Sequence, residues 1–134
     1  PGNLDALRVA LAASHIVCAA TTSRTPMVEG AWLSSGTHVD LVGGFTPAMR
    51  EADDDTMCAS RIVVDSYDGA LSEAGDLIDP LARGVFPRGQ VVAELCELVA
   101  GTIPGRTDRA QITLFKSVGL ALEDLAAATL VCGA

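Results

Sequence analysis

The residues best placed for chemistry in this chain follow short apolar runs. "HIVCAA" (15–20) leads into Thr21, Thr22, Ser23 and Arg24. "THVDLVGG" (37–44) carries Val42, Gly43 and Gly44 and hands over to Phe45. "RIVVDS" (61–66) ends on Asp65 and Ser66, and "ITLFKS" (112–117) ends on Lys116 and Ser117, with Val118 and Gly119 beyond. Hydroxyls after a strand can reach ribose or phosphate oxygens, and glycine lets a flat ring lie against the backbone. Turn residues of the same kinds also close ordinary strands, so pattern alone leaves both readings open. Phe45 is the odd member, because a phenyl ring neither accepts a proton nor polarises water.

Other reactive types are explained more simply. His15 and His38 precede their apolar runs, which puts them at the opposite edge of a parallel sheet. Asp53, Asp54 and Asp55 stand where a helix begins, and the helix dipole favours carboxylates there without any metal. Glu123 and Asp124 have the same explanation. Glu73 and Asp76 flank Gly75 in "SEAGD". Either one contacts a substrate near the strand ends, or the segment is a helix C-terminal turn. Cys18, Cys58, Cys96 and Cys132 form no CxxC pair, and they are expected to be reduced, structural thiols. No Ser/His/Asp arrangement and no metal-ligand cluster stands out.

The elements that would position these residues alternate. Helical spacing covers 3–14 with Asn3 as N-cap, a turn at 29–36, an acidic start at 51–60, and 67–84 with a Gly-Asp break. Helices are also expected over 90–101, closed by Gly101, and over 119–131, where the pattern reads as amphipathic. Four apolar runs with little alternation lie between them, as in a parallel sheet buried on both faces. The fold class is therefore α/β, a Rossmann-like three-layer domain with a mainly parallel sheet. Length supports one domain, since the chain has 134 residues. Its formal charge of −8 and single lysine among nine basic residues leave no basic stripe, so nucleic acid is not an expected partner. No run is long enough for a membrane span, and a cytoplasmic location is expected. The Gly-rich turn that opens a dinucleotide fold is missing. The chain also starts at Pro1, so a fragment lacking the first mononucleotide-binding half is expected.

Four ordered blocks resemble the ornithine cyclodeaminase/μ-crystallin family. They are "HIVCAATTSRTPMVEGAWLSSGTHVDLVGG", the acidic segment of 50–57, "VVDS" with "EAGDL" (63–77), and "ITLFKSVGLALEDLAAA" (112–128). The resemblance implies a partial NAD(P)-binding Rossmann domain over 1–134, with the substrate and dimerisation domain outside this chain. It implies NAD or NADP as cofactor, without deciding between them, and a homodimer for the full-length protein. It places Thr21, Thr22, Ser23 and Arg24 beside the cofactor, Val42 and Gly44 near the nicotinamide, and Ser117 on cofactor or substrate. Phe45, Glu73 and Val118 would contact substrate, and no metal is implied. Cyclodeaminases of the family carry an aspartate where this chain has Phe45. That departure favours a reductase of cyclic imino acids of the Δ1-pyrroline-2-carboxylate type. The alternatives are ornithine cyclodeaminase, an alanine dehydrogenase-like activity, or a μ-crystallin-like protein that binds NADPH and a small ligand. The isolated 134 residues are expected to be inactive and to bind dinucleotide weakly if at all.

Overall fold

The computed structural model describes residues 3–133. Helix α1 (Leu4–Ala13) starts where Asn3 Oδ1 accepts the Ala6 amide at 3.2 Å, so the predicted cap forms. Strand β1 (Ile16–Ala19), a 3-10 turn (Gly30–Trp32) and β2 (His38–Leu41) follow. Then come α2 (Asp54–Ala59), β3 (Ser60–Val64), α3 (Tyr67–Glu73) and α4 (Gly75–Ala82). A second 3-10 turn (Arg88–Gln90) precedes β4 (Val91–Glu94), α5 (Leu95–Val99), β5 (Ile112–Lys116) and α6 (Ala121–Cys132). The five strands form one sheet in the order β1-β2-β5-β3-β4, and every pairing is parallel. All strand C-termini therefore meet at one edge. Among the described residues β1 has a single strand neighbour, so its outer edge is open.

One face of the sheet is the core. Val17, Val39, Leu41, Ile62, Val64, Leu114 and Val91 point to it, and Leu11, Met57, Ala70 and Leu77 pack on them from the helices. Each fully buried branched side chain here is worth roughly 1.5–3 kcal/mol. The opposite face is less covered than the unalternating sequence suggests. There His38, Arg61, Val63, Thr113 and Phe115 line a cavity of about 430 Å³ with Leu95 and Leu98 of α5. Burial alternates along β2 and β4, because a helix layer presses fully on one side only.

Three sequence readings need correction. The helix expected over 90–101 is a strand followed by a five-residue helix. Val91, Ala93 and Glu94 pair with Ile62, Val63 and Val64, and this ladder outweighs the local helical spacing. The sheet thus has five strands rather than four. Helix α6 forms, but it buries none of its residues against the described part of the chain, and Leu122, Leu125 and Leu130 are exposed. Its apolar residues therefore do not define a face packed on this sheet. The four cysteines are free, in line with reduced thiols, but all four are exposed, so none is a structural thiol of the core. Cys18 sits on the less covered face of the edge strand, so an apolar neighbourhood in sequence does not enclose it.

The acidic run at 53–55 works as a helix start and an ion network. Asp53 Oδ1 accepts the Thr56 amide at 2.8 Å and the Gly30 amide at 2.9 Å. Asp54 takes both terminal nitrogens of Arg83 at 2.8 Å, and Arg50 bridges Asp54 to Asp79 at 2.9 Å to each. The Arg83 hydrogen bond is the main cause that holds the Asp54 carboxyl at about 2, below its ordinary 3.8. A depressed acid stabilises the fold above its unfolded value and loses that contribution as pH falls from about 4 toward 2. Arg83→Ala should lower the melting temperature by a few degrees at neutral pH and by less near pH 2. Melts followed by circular dichroism across this range check it. An equal loss at both ends would show that the pair carries no pH-linked stability.

Candidate functional site

The parallel sheet gathers the strand-end residues at its carboxyl edge, the side where open α/β sheets bind ligands. From β1 come Thr21 to Arg24. From β2 come Val42 to Phe45, from β3 Asp65 and Ser66, and from β5 Ser117 to Gly119. The outer surface is mixed. Val42 is 48% exposed and Phe45 46% exposed, so two apolar side chains face solvent at the end of a central strand. Thr22 and Arg24 are exposed and make no side-chain hydrogen bond or ion pair among the described residues. Ser23 is engaged within its loop, where its hydroxyl donates to the Thr25 carbonyl at 2.7 Å and accepts the Thr25 amide at 3.3 Å. Thr21 Oγ1 accepts the Ser23 amide at 3.2 Å.

The glycines beneath Phe45 serve protein packing. A Cβ on Gly43 would collide with the Thr21 backbone and with Glu51 Oε1. Gly44 has φ +62, and a Cβ there would lie 2.6 Å from Asp76 Oδ2. Both residues are buried. The space their missing side chains leave is thus filled by this chain's own carboxylates and backbone.

Those carboxylates belong to a buried ionic cluster. Lys116 is 0% exposed, and its Nζ lies 3.8 Å from Asp76 Oδ2. It donates to the carbonyls of Leu41 (3.3 Å), Gly43 and Ser117 (3.0 Å). Asp76 Oδ1 accepts the amides of Glu51 (2.8 Å) and Ala52 (3.0 Å), while Glu51 Oε1 accepts the Thr21 amide. Burial pushes the Asp76 carboxyl up from its usual range and the Lys116 ammonium down. Asp76 Oδ2 and Glu51 Oε2 have no hydrogen-bond partner.

A second acid shapes the loop after β5. Asp65 Oδ2 accepts the Ser117 hydroxyl at 3.0 Å and the amides of Val118 (2.7 Å) and Gly119 (2.9 Å). Its Oδ1 accepts the Ser66 amide at 2.7 Å. Ser117 is buried, and its hydroxyl also accepts the Gly119 amide at 3.1 Å. Ser117 is therefore held within the loop, and Val118 beside it is half-buried. Of the two acids in "SEAGD", Glu73 is exposed at the end of α3 with no hydrogen-bond partner among the described residues, and Asp76 is the one that turns inward. His38 lies at the other edge, as its position in sequence requires, with Nδ1 2.9 Å from Thr113 Oγ1.

Lys116 and Asp65 were legible in sequence only as strand-end residues with no assigned role, and Glu51 only as part of an acidic helix start. The signal for Lys116 was present in "ITLFK". Strand period two puts it on the same face as Ile112 and Leu114, which is the core face.

Over 118 residues the chain is 39% identical to a Delta(1)-pyrroline-2-carboxylate reductase of Colwellia psychrerythraea, covering 88% of this chain and 37% of that protein. The structure of Thermococcus litoralis Delta(1)-pyrroline-2-carboxylate reductase in complex with NADH and L-proline superposes with a TM-score of 0.87. It is 48% identical, with 92% of this chain and 38% of that one covered. A probable ornithine cyclodeaminase from Bordetella pertussis Tohama I gives a TM-score of 0.83 at 38% identity, over 92% of this chain and 39% of that one. The chain thus spans about two fifths of the length of the curated relatives it matches. The sequence profile of the ornithine cyclodeaminase/mu-crystallin family matches residues 6–133, and the chain belongs to that family.

Proposed function

We propose that this chain is the later part of the cofactor domain of an NAD(P)-dependent reductase of cyclic imino acids. The observation that carries the reading is the exposed apolar pair Val42 and Phe45 at the end of β2. This is the sheet edge where a dinucleotide binds, and that stretch offers no ionisable side chain to solvent. A relative solved with NADH and L-proline supports the same reading. A nicotinamide cofactor fits the residues present. Val42 and Phe45 supply an apolar wall, and Thr22 and Arg24 supply free polar groups for its ribose or phosphate end. When bound, the reduced cofactor supplies the hydride that adds to the C=N carbon.

The chain's own residues then position and shield. Phe45 would lie against the apolar part of a proline-like ring and keep water from it. It cannot deprotonate an amine or activate water, which argues against ornithine cyclisation. Ser117, bound to Asp65, would hold Val118 against the ligand. Ser23 would shape the loop that presents Thr22 and Arg24, and Thr21 would anchor it. Gly44 would bring the backbone close to the nicotinamide, and Glu73 would face the substrate from its exposed position at the end of α3.

The open edge of β1, with Ile16 exposed on it, supports an upstream half that adds the next strand. On this reading the substrate and dimer contacts lie in the other domain, and the full-length protein is a homodimer. No helix among the described residues is long and apolar enough to cross a membrane. A cytoplasmic location is part of the proposal.

The full-length protein should oxidise NADH or NADPH when given Δ1-pyrroline-2-carboxylate and form proline. Phe45→Asp should reduce kcat/KM about 10- to 100-fold, since it sets a like charge against the substrate carboxylate. Proline formed from ornithine, with no turnover of the imine, would overturn the reading.

A further inference from the structure

Lys116 is the chain's single lysine, and it lies wholly inside. A buried ion pair is a poor stabiliser, because desolvation offsets the attraction, and apolar replacements often fold as well or better. Here both shifts report that cost, since burial disfavours the charged form of each partner. Stability alone therefore does not account for an ammonium at this site.

Its contacts supply another account. One Nζ holds the last carbonyl of β2, the carbonyl of Gly43, and the carbonyl that opens the loop after β5. Asp76 anchors that ammonium from α4 and also holds the amides of Glu51 and Ala52. Glu51 in turn holds Thr21 at the end of β1. The Gly43–Gly44 turn has no side chains with which to pack, so its direction depends on what its backbone is tied to. A methionine or leucine at 116 could fill the volume, but it could not hold three carbonyls.

We propose that Lys116, anchored by Asp76, is a positioning residue that locks the ends of β1, β2 and β5 into one surface and so sets where Val42 and Phe45 stand. The inference rests on the reductase reading for the identity of the ligand, but not for the geometry. Lys116 acts through the Gly43–Gly44 turn and touches neither substrate nor cofactor.

The test uses the full-length protein and three variants. Lys116→Met and Asp76→Asn each leave one buried charge without its partner, so either alone can lose stability. The double variant removes both charges. It should fold, with a melting temperature near the wild type. Its kcat/KM for Δ1-pyrroline-2-carboxylate should fall at least about tenfold, and hydrogen exchange at the Gly43 and Gly44 amides should rise while Ile62 and Val64 stay protected. A purely structural role predicts that activity and exchange recover together with stability. A double variant with wild-type kinetics and exchange overturns the proposal, and so does one that fails to fold. If the wild type itself does not turn over the imine, the reductase reading fails. The exchange result then decides the role of Lys116 by itself.

Discussion

Replacing Gly44 by alanine should lower the melting temperature by roughly 10 °C or more and remove ligand binding at the strand edge. Two costs add at this position. A non-glycine residue at φ +62 pays about 1–2 kcal/mol for the left-handed conformation. The new Cβ would also stand 2.6 Å from Asp76 Oδ2, and overpacking a buried site costs about 1–3 kcal/mol more. Asp76 cannot move away freely, because its other oxygen holds the Glu51 and Ala52 amides and its neighbour is Lys116. Gly84 is the natural control. Its φ is +71, but a Cβ there meets nothing within 4 Å. Gly84→Ala should therefore pay the backbone cost alone, about 1–2 kcal/mol. Thermal melts of the two variants separate the terms. Equal losses would mean that contact with Asp76 contributes nothing.

Asp65→Ala should cost about 3–5 kcal/mol, the second large effect. Three backbone amides and the Ser117 hydroxyl converge on this one carboxylate. Removing it strands buried or half-buried donors, at about 1–3 kcal/mol each where water cannot replace the acceptor. The loop from Ser117 to Gly119 would lose its template, so KM should rise along with the loss of stability. Asp65→Asn keeps the shape but loses the charge and turns one oxygen into a donor. It should recover part of the stability and leave the loop misdirected. Denaturant unfolding with paired kinetics reads both. A stable Asp65→Ala variant with unchanged KM would remove Asp65 from any role in shaping the edge.

Both predictions concern residues whose part in the site was hard to read in sequence. Asp65 stands at the end of an apolar run and resembles an ordinary turn residue. Its four partners include three that lie more than fifty positions away, which no local pattern reports. Gly44 was legible as a special backbone position, but its contact with Asp76 was not. A glycine at a strand end permits either close approach of a ligand or close approach of the protein itself. The structure shows the second, because Asp76 occupies the space where a side chain would go, while approach of a nicotinamide belongs to the proposal. Glu73 and Asp76 raise the same difficulty. Both flank Gly75, and only the packing of α4 against the 51–52 backbone tells which one turns inward.

The sequence by itself determined the class of the fold and the edge at which to look. Short apolar runs between helical patterns require strands joined by crossovers, and parallel strands bring their C-terminal residues to one side. It also determined the helix starts at Asn3 and Asp53, since capping acts over three or four residues. Phe45 was singled out by residue type alone, because an apolar ring at that place excludes acid–base chemistry by its own side chain. Only the tertiary structure decided the fifth strand, since a ladder to β3 overrode helical spacing in 91–94. It alone showed that α6 and the cysteines stay exposed, since burial depends on which surfaces meet. It alone assembled Lys116, Asp76 and Glu51. Their attraction exists only where the fold excludes water and brings residues from distant parts of the chain together, and neither condition is a local property of the chain.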